Sequence, residues 1–354
     1  MVISSSYEQE PNNTPEQKSE ESSFDRTLLS SEESTVDQQN SVNLRPKNFD
    51  EYLGQEKLVE TLKISMSAAR KRKDIASIGH ILLYGPPGLG KTSFAYLLAK
   101  ELGTEAKIFS APALERPKDI LGILMSANEG DVIFVDEIHR LNKITEELLY
   151  PALEDFQIDI NTGKGTSSRI MRFDISKFIL VGATTKLGSI SAPLRDRFVH
   201  IHRMEYYSAE ELAKIIKNNS LTLSISLTDE AALEIAQRSR GTPRIANRLL
   251  RLVRDFSQYF NHPIINIQVA LDALNTYKID KSGLDPMDKK ILEMLIDNYG
   301  GGPVGLETIA SLSGEDKATI EDYYEPFLMQ SGFLLRTQRG RVVTDQGKEY
   351  IQKS

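Results

Sequence analysis

A glycine-rich run in the first third of the chain has the spacing of a phosphate-binding loop. Residues 85–92 read Gly-Pro-Pro-Gly-Leu-Gly-Lys-Thr, after a short apolar run and before a stretch with helical spacing. Its glycines, Gly88 and Gly90 among them, allow backbone N–H groups to wrap phosphate oxygens, and the following helix adds the positive end of its dipole. Lys91 is expected to reach the β- and γ-phosphates, and Thr92 to give Mg²⁺ a hydroxyl ligand. The run therefore predicts an ATP site with Mg²⁺.

A second run places two acids at the end of an apolar strand. Residues 132–137 read Val-Ile-Phe-Val-Asp-Glu. Asp136 is placed to hold Mg²⁺ through water, and Glu137 to polarise the water that attacks the γ-phosphate. In isolation, acids at a strand end are as often caps or turn residues. After a phosphate-binding loop, the pair predicts hydrolysis and argues against a module that only binds nucleotide.

These two motifs resemble those of AAA+ ATPases, in which further polar residues act on the same phosphates. The strand at residues 178–185 ends in Thr184 and Thr185, and either hydroxyl could position the water or only bond to the next loop. The run 195–197 reads Arg-Asp-Arg, where an arginine reaches a neighbouring subunit's γ-phosphate or merely pairs with the aspartate. Arg244 resembles the arginine that contacts the phosphates of its own subunit.

The residues around these motifs predict the scaffold that positions them. Short apolar runs alternate with helical stretches up to Tyr207, which is typical of a parallel α/β sheet. The strands are expected at 80–84, 107–109, 132–135 and 178–182, and the helices at 92–102, 117–127 and 145–153. Four helical segments without strands follow, at 208–219, 228–239, 242–260 and 268–277. A small all-helical domain therefore follows the α/β domain.

A third unit begins near residue 281. Asp285-Pro286 repeats the helix-start signal of Thr242-Pro243, an N-cap followed by proline. Helices at 286–297, 306–312 and 316–330 precede strands at 333–336 and 341–344, which predicts a winged helix, although other small α+β modules share this pattern. The expected domains are a disordered extension (1–40), a large P-loop AAA+ ATPase domain (41–207), a small helical domain (208–280) and a winged-helix head (281–354).

Composition limits the class of protein. Cysteine is absent, which excludes disulfides and thiolate zinc sites and fits a reducing cytosol. No run approaches the roughly 18 apolar residues that a membrane helix needs, so we expect a cytoplasmic protein without a membrane partner. The net charge is -7, and residues 1–40 alone account for it with nine acidic and two basic residues. Because those residues are also poor in aromatics, they predict disorder. The remaining chain carries 41 charges of each sign, so a DNA contact must be a local patch.

Several longer runs resemble the bacterial RuvB family over about residues 42 to 345. They are Asp-Glu-Ile-His-Arg-Leu (136–141), Gly-Ala-Thr-Thr (182–185), Pro-Leu-Arg-Asp-Arg-Phe (193–198), the Arg-Gly-Thr-Pro-Arg run (240–251) and Gly-Gly-Pro-Val-Gly-Leu (301–306). The resemblance implies a motor for branch migration of Holliday junctions in recombination and DNA repair. It also implies a hexameric ring around duplex DNA at a four-way junction, working with RuvA and, indirectly, with the RuvC resolvase.

The family's site residues carry over by position. Its trans-acting arginine corresponds to Arg197, and its DNA contacts correspond to Arg336 and Arg341. Three positions depart from the family pattern: Ser93 replaces a threonine, Val199 replaces a glycine and Gln338 replaces a proline of the wing turn. The residues that correspond to the ATP contacts are Leu44, Arg45, Gly88, Lys91, Thr92, Ser93, Glu154, Asp155, Phe156, Tyr207 and Arg244.

Residues 156–175 have the pattern of a hairpin around a glycine-rich turn. An ordinary hairpin that extends from the sheet would account for the pattern. The family resemblance instead implies a RuvA contact, for which the apolar residues Ile158, Ile160, Ile170 and Met171 could supply an exposed face.

Two other functions use AAA+ domains, namely a clamp-loader-like DNA switch and a protein-remodelling ATPase, and the fold alone does not decide. The wing supports a role on DNA, because Arg336, Arg339 and Arg341 fall within six residues with no acid among them. A protein unfoldase would be expected to carry an aromatic-hydrophobic pore loop, which the sequence does not show.

Overall fold

The computed structural model describes residues 44–162 and 169–353, so the prediction of disorder for residues 1–40 lies outside it. The first unit is built on a five-stranded parallel sheet with strand order β2-β3-β6-β1-β7. A two-stranded antiparallel hairpin, β4-β5, extends from it. The strands are β1 (His80–Tyr84), β2 (Ala106–Ser110), β3 (Val132–Asp136), β4 (Gln157–Thr162), β5 (Arg169–Asp174), β6 (Ile179–Thr184) and β7 (Phe198–Arg203).

Helices pack on both faces of this sheet, as the alternation of apolar runs and helical stretches predicts. They are α1 (Glu56–Arg72), α2 (Lys91–Leu102), α3 (Pro117–Met125), α4 (Lys143–Glu154) and the short α5 (Ala192–Arg195). The predicted strands are all present. The sequence pattern does not predict β7, because this strand alternates apolar residues with polar ones such as His200 and His202 and lacks a continuous apolar run.

The parallel strands bring the predicted catalytic residues to one edge of the sheet. Tyr84 at the end of β1 pairs with Thr184 at the end of β6, and Asp136 ends β3 on the other side of β6. The phosphate-binding loop follows Tyr84 directly. The carboxyl ends of parallel strands meet at the same edge, which is where ligands bind in open α/β sheets.

The second unit contains four helices, α6 (Ala209–Thr222), α7 (Asp229–Gln237), α8 (Pro243–Tyr259) and α9 (Ile267–Thr276). Each helix begins after a polar N-cap whose side chain accepts a backbone N–H three residues on. Thr242 is one of these caps, as its Thr-Pro signal predicts. The apolar faces of the four helices share a core with one face of the sheet, so this unit packs beside the ATP site.

The third unit has its own core and the elements of a winged helix. Its helices α10 (Pro286–Tyr299), α11 (Leu306–Ser313), α12 (Lys317–Thr319) and α13 (Glu325–Gln330) precede β8 (Leu334–Thr337), β9 (Gly340–Val343) and α14 (Asp345–Lys353). A π-helical turn, Ile320–Tyr324, joins α12 to α13. The sequence pattern does not predict α14, because this helix has too few apolar residues to show a helical hydrophobic period. Within the described ranges, no helix has the length and apolar character to cross a membrane.

Candidate active site

The phosphate-binding loop is shaped by glycines in conformations that other residues rarely adopt. Gly85, Gly88 and Gly90 have φ angles of 142°, 80° and 97°, and α2 begins at Lys91 directly after them. The Lys91 ammonium donates hydrogen bonds of 2.8 Å to the carbonyls of Gly85 and Pro86. Burial lowers the pKa of Lys91 to about 8, while Asp136 and Glu137 oppose that change. The cation thus lies inside the loop, where phosphate oxygens can replace the two carbonyls.

Three other parts of the chain close around this loop. The Tyr207 hydroxyl donates to the Leu89 carbonyl at 3.3 Å, and the Tyr52 hydroxyl reaches the Gly90 carbonyl at 3.5 Å. The Arg244 N–H donates to the Gly88 carbonyl at 3.3 Å. The structure therefore brings Tyr207 and Arg244 to the loop, as the sequence predicts. Tyr52 was missed, because a lone tyrosine before a helix carries no signal of its own.

The residues at the start of the described chain lie beside the same helix. Leu44 is buried, and the Arg45 guanidinium lies 4.5 Å from the centre of the Tyr96 ring on α2. Thr92 and Ser93 occupy the first turn of α2. Arg45 therefore lies against the helix that follows the loop, and the contact of Leu44 and Arg45 with ATP stays a prediction.

Glu137 is held in a conformation that costs energy. Its φ is 50°, in the left-handed region, and its N–H donates to Asp136 Oδ1 at 2.9 Å. A non-glycine residue in this region costs roughly 1–2 kcal/mol, and such residues cluster at functional sites. The Glu137 carboxylate lies 3.3 Å from the Thr185 hydroxyl and 3.1 Å from His139 Nδ1. The carboxylate is therefore oriented by two side chains at the edge where the strands end.

The two candidate threonines have different surroundings. The Thr184 hydroxyl is buried, accepts the Lys186 N–H at 2.9 Å and lies 2.8 Å from His139 Nδ1. Of the two threonines, Thr185 is the one that donates a hydrogen bond to the Glu137 carboxylate. Burial lowers the pKa of His139, while Glu137 acts in the opposite direction. The sequence does not predict a role for His139, since a histidine near two acids does not by itself indicate a functional residue.

Arg197 lies at the other end of the sheet from the phosphate-binding loop. It precedes Phe198, which pairs with His80 at the start of β1, whereas the loop follows the end of β1, roughly 13 Å away along the strand. Its guanidinium bonds to Glu154 at 2.7 Å and lies 4.4 Å from the centre of the Tyr150 ring. Its partner is thus Glu154, and not Asp196 as the alternative interpretation required.

Three predicted ATP contacts share that distant end. Glu154 ends α4, Asp155 follows it, and the Phe156 ring packs 6.2 Å from the His80 ring and 5.9 Å from the Phe178 ring. The structure therefore separates the predicted site residues into two groups. One group surrounds this subunit's own loop. The other, with Arg197 and Glu154, lies at the opposite end of β1 from that loop.

Bound Mg²⁺ fits the residues at the first group. Among residues 44–162 and 169–353, no cluster of three or more His, Asp or Glu side chains could hold a metal ion by itself. Asp136 ends the strand next to the loop, and Thr92 stands in the turn that follows Lys91. One carboxylate and one hydroxyl suit Mg²⁺, which takes its remaining oxygens from phosphates and water.

The β4-β5 hairpin has an apolar face that becomes more exposed away from the sheet. Ile158 is fully buried in the core, so its predicted exposure is wrong, and Ile160 is half-buried. Met171 and Phe173 on the same face are 48% and 37% exposed, and Ile170 is 71% exposed. Residues 163–168, which contain the predicted turn, lie outside the described part of the chain.

The wing arginines are compensated by acids that lie far away in sequence. Arg336 is half exposed and pairs with Glu321 at 3.0 Å. Arg341 is buried and pairs through two nitrogens with the buried carboxylate of Glu325. Arg339 is exposed in the turn between the strands. No acid lies among the wing arginines in the sequence, but the helical segment before the wing supplies a carboxylate to two of the three.

Comparisons with known proteins cover nearly the whole chain. Family models described as the Holliday junction DNA helicase RuvB P-loop domain, the RuvB AAA lid domain and the RuvB C-terminal winged helix domain match residues 44–204, 207–280 and 281–352. The Holliday junction branch migration complex subunit RuvB of Nostoc sp. is 48% identical over 99% of this chain and 97% of that protein. The corresponding subunit of Rippkaea orientalis is 52% identical over 87% of this chain and 85% of its own length.

Solved structures agree with this similarity. The Thermotoga maritima RuvB Holliday junction branch migration motor superposes with a TM-score of 0.79 at 44% identity. The match covers 88% of this chain and 98% of that protein.

Proposed function

Because the chain belongs to the RuvB family, we propose that it is an ATP-hydrolysing motor that drives branch migration of Holliday junctions in recombination and repair. One observation carries the proposal: Lys91, Asp136, Glu137 and Thr185 meet at one edge of a sheet whose chain continues into a winged-helix head. A complete hydrolytic site favours a motor over a binding module, and the head favours DNA over an unfolded protein as the substrate.

Hydrolysis follows from the positions of these side chains. The loop N–H groups and Lys91 bind the phosphates. Thr92 and Asp136 would hold Mg²⁺, which would supply positive charge to the phosphate oxygens when bound. Glu137 orients the attacking water and accepts its proton, while Thr185 fixes the carboxylate through the 3.3 Å hydrogen bond. Arg244 belongs to the helical domain and is positioned to contact the phosphates, because its backbone N–H donates to the Gly88 carbonyl.

The second group of residues, around Arg197 and Glu154, acts on the nucleotide that a neighbouring subunit binds. Arg197 and Glu154 lie at the far end of β1 from their own loop, so in a ring they face the nucleotide of the next copy. Arg197 then supplies positive charge to that γ-phosphate, and Asp155 and Phe156 border the same interface. This arrangement requires self-association, for which the family precedent is a hexamer.

The head and the hairpin provide the other two contacts. Arg339 is exposed and is expected to meet phosphates directly, whereas at Arg336 and Arg341 a phosphate competes with Glu321 and Glu325. Phosphate contacts are independent of sequence, as a motor that moves along any DNA requires. The exposed residues Met171 and Phe173 lie on one face of the hairpin and are the apolar surface proposed to contact RuvA, whereas Ile170 lies on the opposite face.

The decisive experiment is ATP-dependent migration of a synthetic four-way junction, with and without RuvA. We expect movement that requires ATP and is accelerated by RuvA. In parallel, the ATPase rate is measured with duplex DNA and with an unfolded protein. No migration together with stimulation by unfolded protein would support the protein-remodelling alternative, and DNA stimulation without migration would support the clamp-loader-like switch.

A further inference from the structure

One helical segment of the head contacts both the wing and the ATPase domain. This segment, residues 320–327, will be called the bridging segment, and it comprises the π-helical turn and the start of α13. Toward the wing, Glu321 pairs with Arg336 at 3.0 Å and Glu325 pairs with Arg341. Two of the three wing arginines are therefore held by this segment.

The bridging segment also contacts the loop that carries the hydrolytic threonines. Asp322 pairs with Lys186 at 3.1 Å. Lys186 directly follows Thr185, and its N–H donates to the Thr184 hydroxyl at 2.9 Å. A displacement of Asp322 consequently acts on the residue next to the hydroxyl that orients Glu137.

A second contact reaches the turn that carries Arg244. Arg240 is buried against the bridging segment, with its guanidinium 4.4 Å from the centre of the Phe327 ring and 5.5 Å from that of Tyr323. It also pairs with Asp288 of α10 at 2.6 Å. Gly241, the next residue, accepts the Tyr207 N–H at 2.9 Å, so this turn and the loop-contacting tyrosine move together.

The junction has features of an element with more than one arrangement. π-helical turns are rare and frequently mark functional sites within helices. Within the described chain, Arg240 Nη1, Asp288 Oδ1 and the Tyr323 hydroxyl are buried without a hydrogen-bond partner. Unsatisfied buried groups are costly, so this junction is less stabilised than a fully hydrogen-bonded one.

We infer that the bridging segment transmits DNA binding from the wing to the nucleotide site. A DNA phosphate that binds Arg336 or Arg341 competes with Glu321 or Glu325 and releases the wing side of the segment. The segment then shifts against Lys186 and Arg240, which changes the position of Thr185 at Glu137 and of Arg244 at the loop. This inference rests on the proposed function only in that the wing is the DNA contact.

The first test uses Asp322→Asn in the full-length chain, with the ATPase rate measured without DNA and at saturating duplex. The basal rate and the DNA affinity should be unchanged, because Asp322 touches neither ATP nor DNA. The stimulation by DNA should fall roughly two- to fivefold, the scale set by one exposed ion pair. Asp322→Glu should restore it. Asp345→Asn is the matched control, since it removes an exposed pair with Lys348 on α14 that does not reach the ATPase domain.

A second variant gives a readout that a merely structural role would not produce. Glu321→Gln frees Arg336 from its competitor, so duplex affinity should rise while stimulation at saturating duplex falls. Full stimulation in both Asp322→Asn and Glu321→Gln would overturn the inference. Failure of the proposed wing contact is distinguishable, because Arg336→Ala/Arg339→Ala would then leave duplex affinity unchanged.

Discussion

Glu137 shows how much of the chemistry depends on a single side chain. Its backbone is in the left-handed region, and its carboxylate is oriented by Thr185. We expect Glu137→Gln to bind ATP normally, because the loop and Lys91 are intact. Hydrolysis should fall by roughly 10²-fold or more, since an amide cannot accept the proton of the attacking water. Nucleotide affinity and steady-state turnover measure the two effects separately, and normal turnover would remove Glu137 from the mechanism.

A second prediction at the residue scale concerns Arg197. Arg197→Ala should keep nucleotide binding but lose hydrolysis by up to roughly 10³-fold, because the arginine is proposed to act on a neighbour's phosphate. Mixing Arg197→Ala with Lys91→Ala subunits should restore activity at interfaces that pair an intact loop with an intact arginine. Arg195→Ala is the matched control, two residues away. If Arg195→Ala loses hydrolysis and Arg197→Ala does not, the assignment between the two arginines is reversed.

At the scale of elements, β1 connects the sheet to the ATP site and carries a buried histidine. His80 Nδ1 accepts the Leu180 N–H at 2.9 Å, and Nε2 donates to the Leu153 carbonyl at 3.0 Å. Its ring packs 5.6 Å from the Phe178 ring, in the core of the sheet. Burial lowers the pKa of His80 to about 4, because a charged ring would lose its hydration.

This shift predicts how stability depends on pH. The pKa of His80 is lower in the folded state than in the unfolded state, where it is about 6.5, so the unfolded chain takes up a proton first as pH falls. The contribution is fully present above pH 6.5 and is lost as pH falls toward 4, by about 3 kcal/mol. The free energy of unfolding in urea should therefore fall less steeply over this range in His80→Gln than in the wild type. Parallel curves for the two proteins would contradict the prediction.

At the scale of the whole molecule, an acidic head must bind an anionic polymer. Residues 281–354 carry nine basic and twelve acidic residues, so binding depends on where the positive charge is exposed. Arg336→Ala/Arg339→Ala should weaken duplex binding similarly on all sequences and reduce the slope of log affinity against log salt by about 1.8, or 0.9 per contact. The basal ATPase rate is measured beside the affinity, because the loss of Arg336 also frees Glu321 of the bridging segment.

Replacing Arg341 in the same head should affect stability as well as DNA binding. Its removal leaves the buried Glu325 carboxylate without a partner, which costs roughly 3–5 kcal/mol. Arg341→Ala should therefore lower the unfolding temperature of the head as well as its DNA affinity. Thermal unfolding of this variant beside Arg336→Ala/Arg339→Ala separates the two effects. If Arg336→Ala/Arg339→Ala leaves the slope of log affinity against log salt unchanged, the wing is a solvated hairpin tip and not a DNA contact.

The sequence alone predicted the chemistry and the order of units. Lys91, Asp136 and Glu137 could be predicted as site residues because each motif lies where a strand ends, so local spacing encodes its geometry. The N-cap and proline signals at Thr242 and Asp285 marked the helix starts of the second and third units for the same reason. Such features depend on backbone preferences within a few residues and do not require distant contacts.

Only the tertiary structure decided which residues meet across long separations. The pairing of β6 between β1 and β3 sets which threonine faces Glu137, and local pattern contains nothing about that choice. The burial of Arg341 depends on Glu325, which approaches through folding of the head. The contact of Arg240 with the bridging segment likewise joins two units. Charge and hydrophobic period describe one segment at a time, whereas these partners are selected by packing between segments.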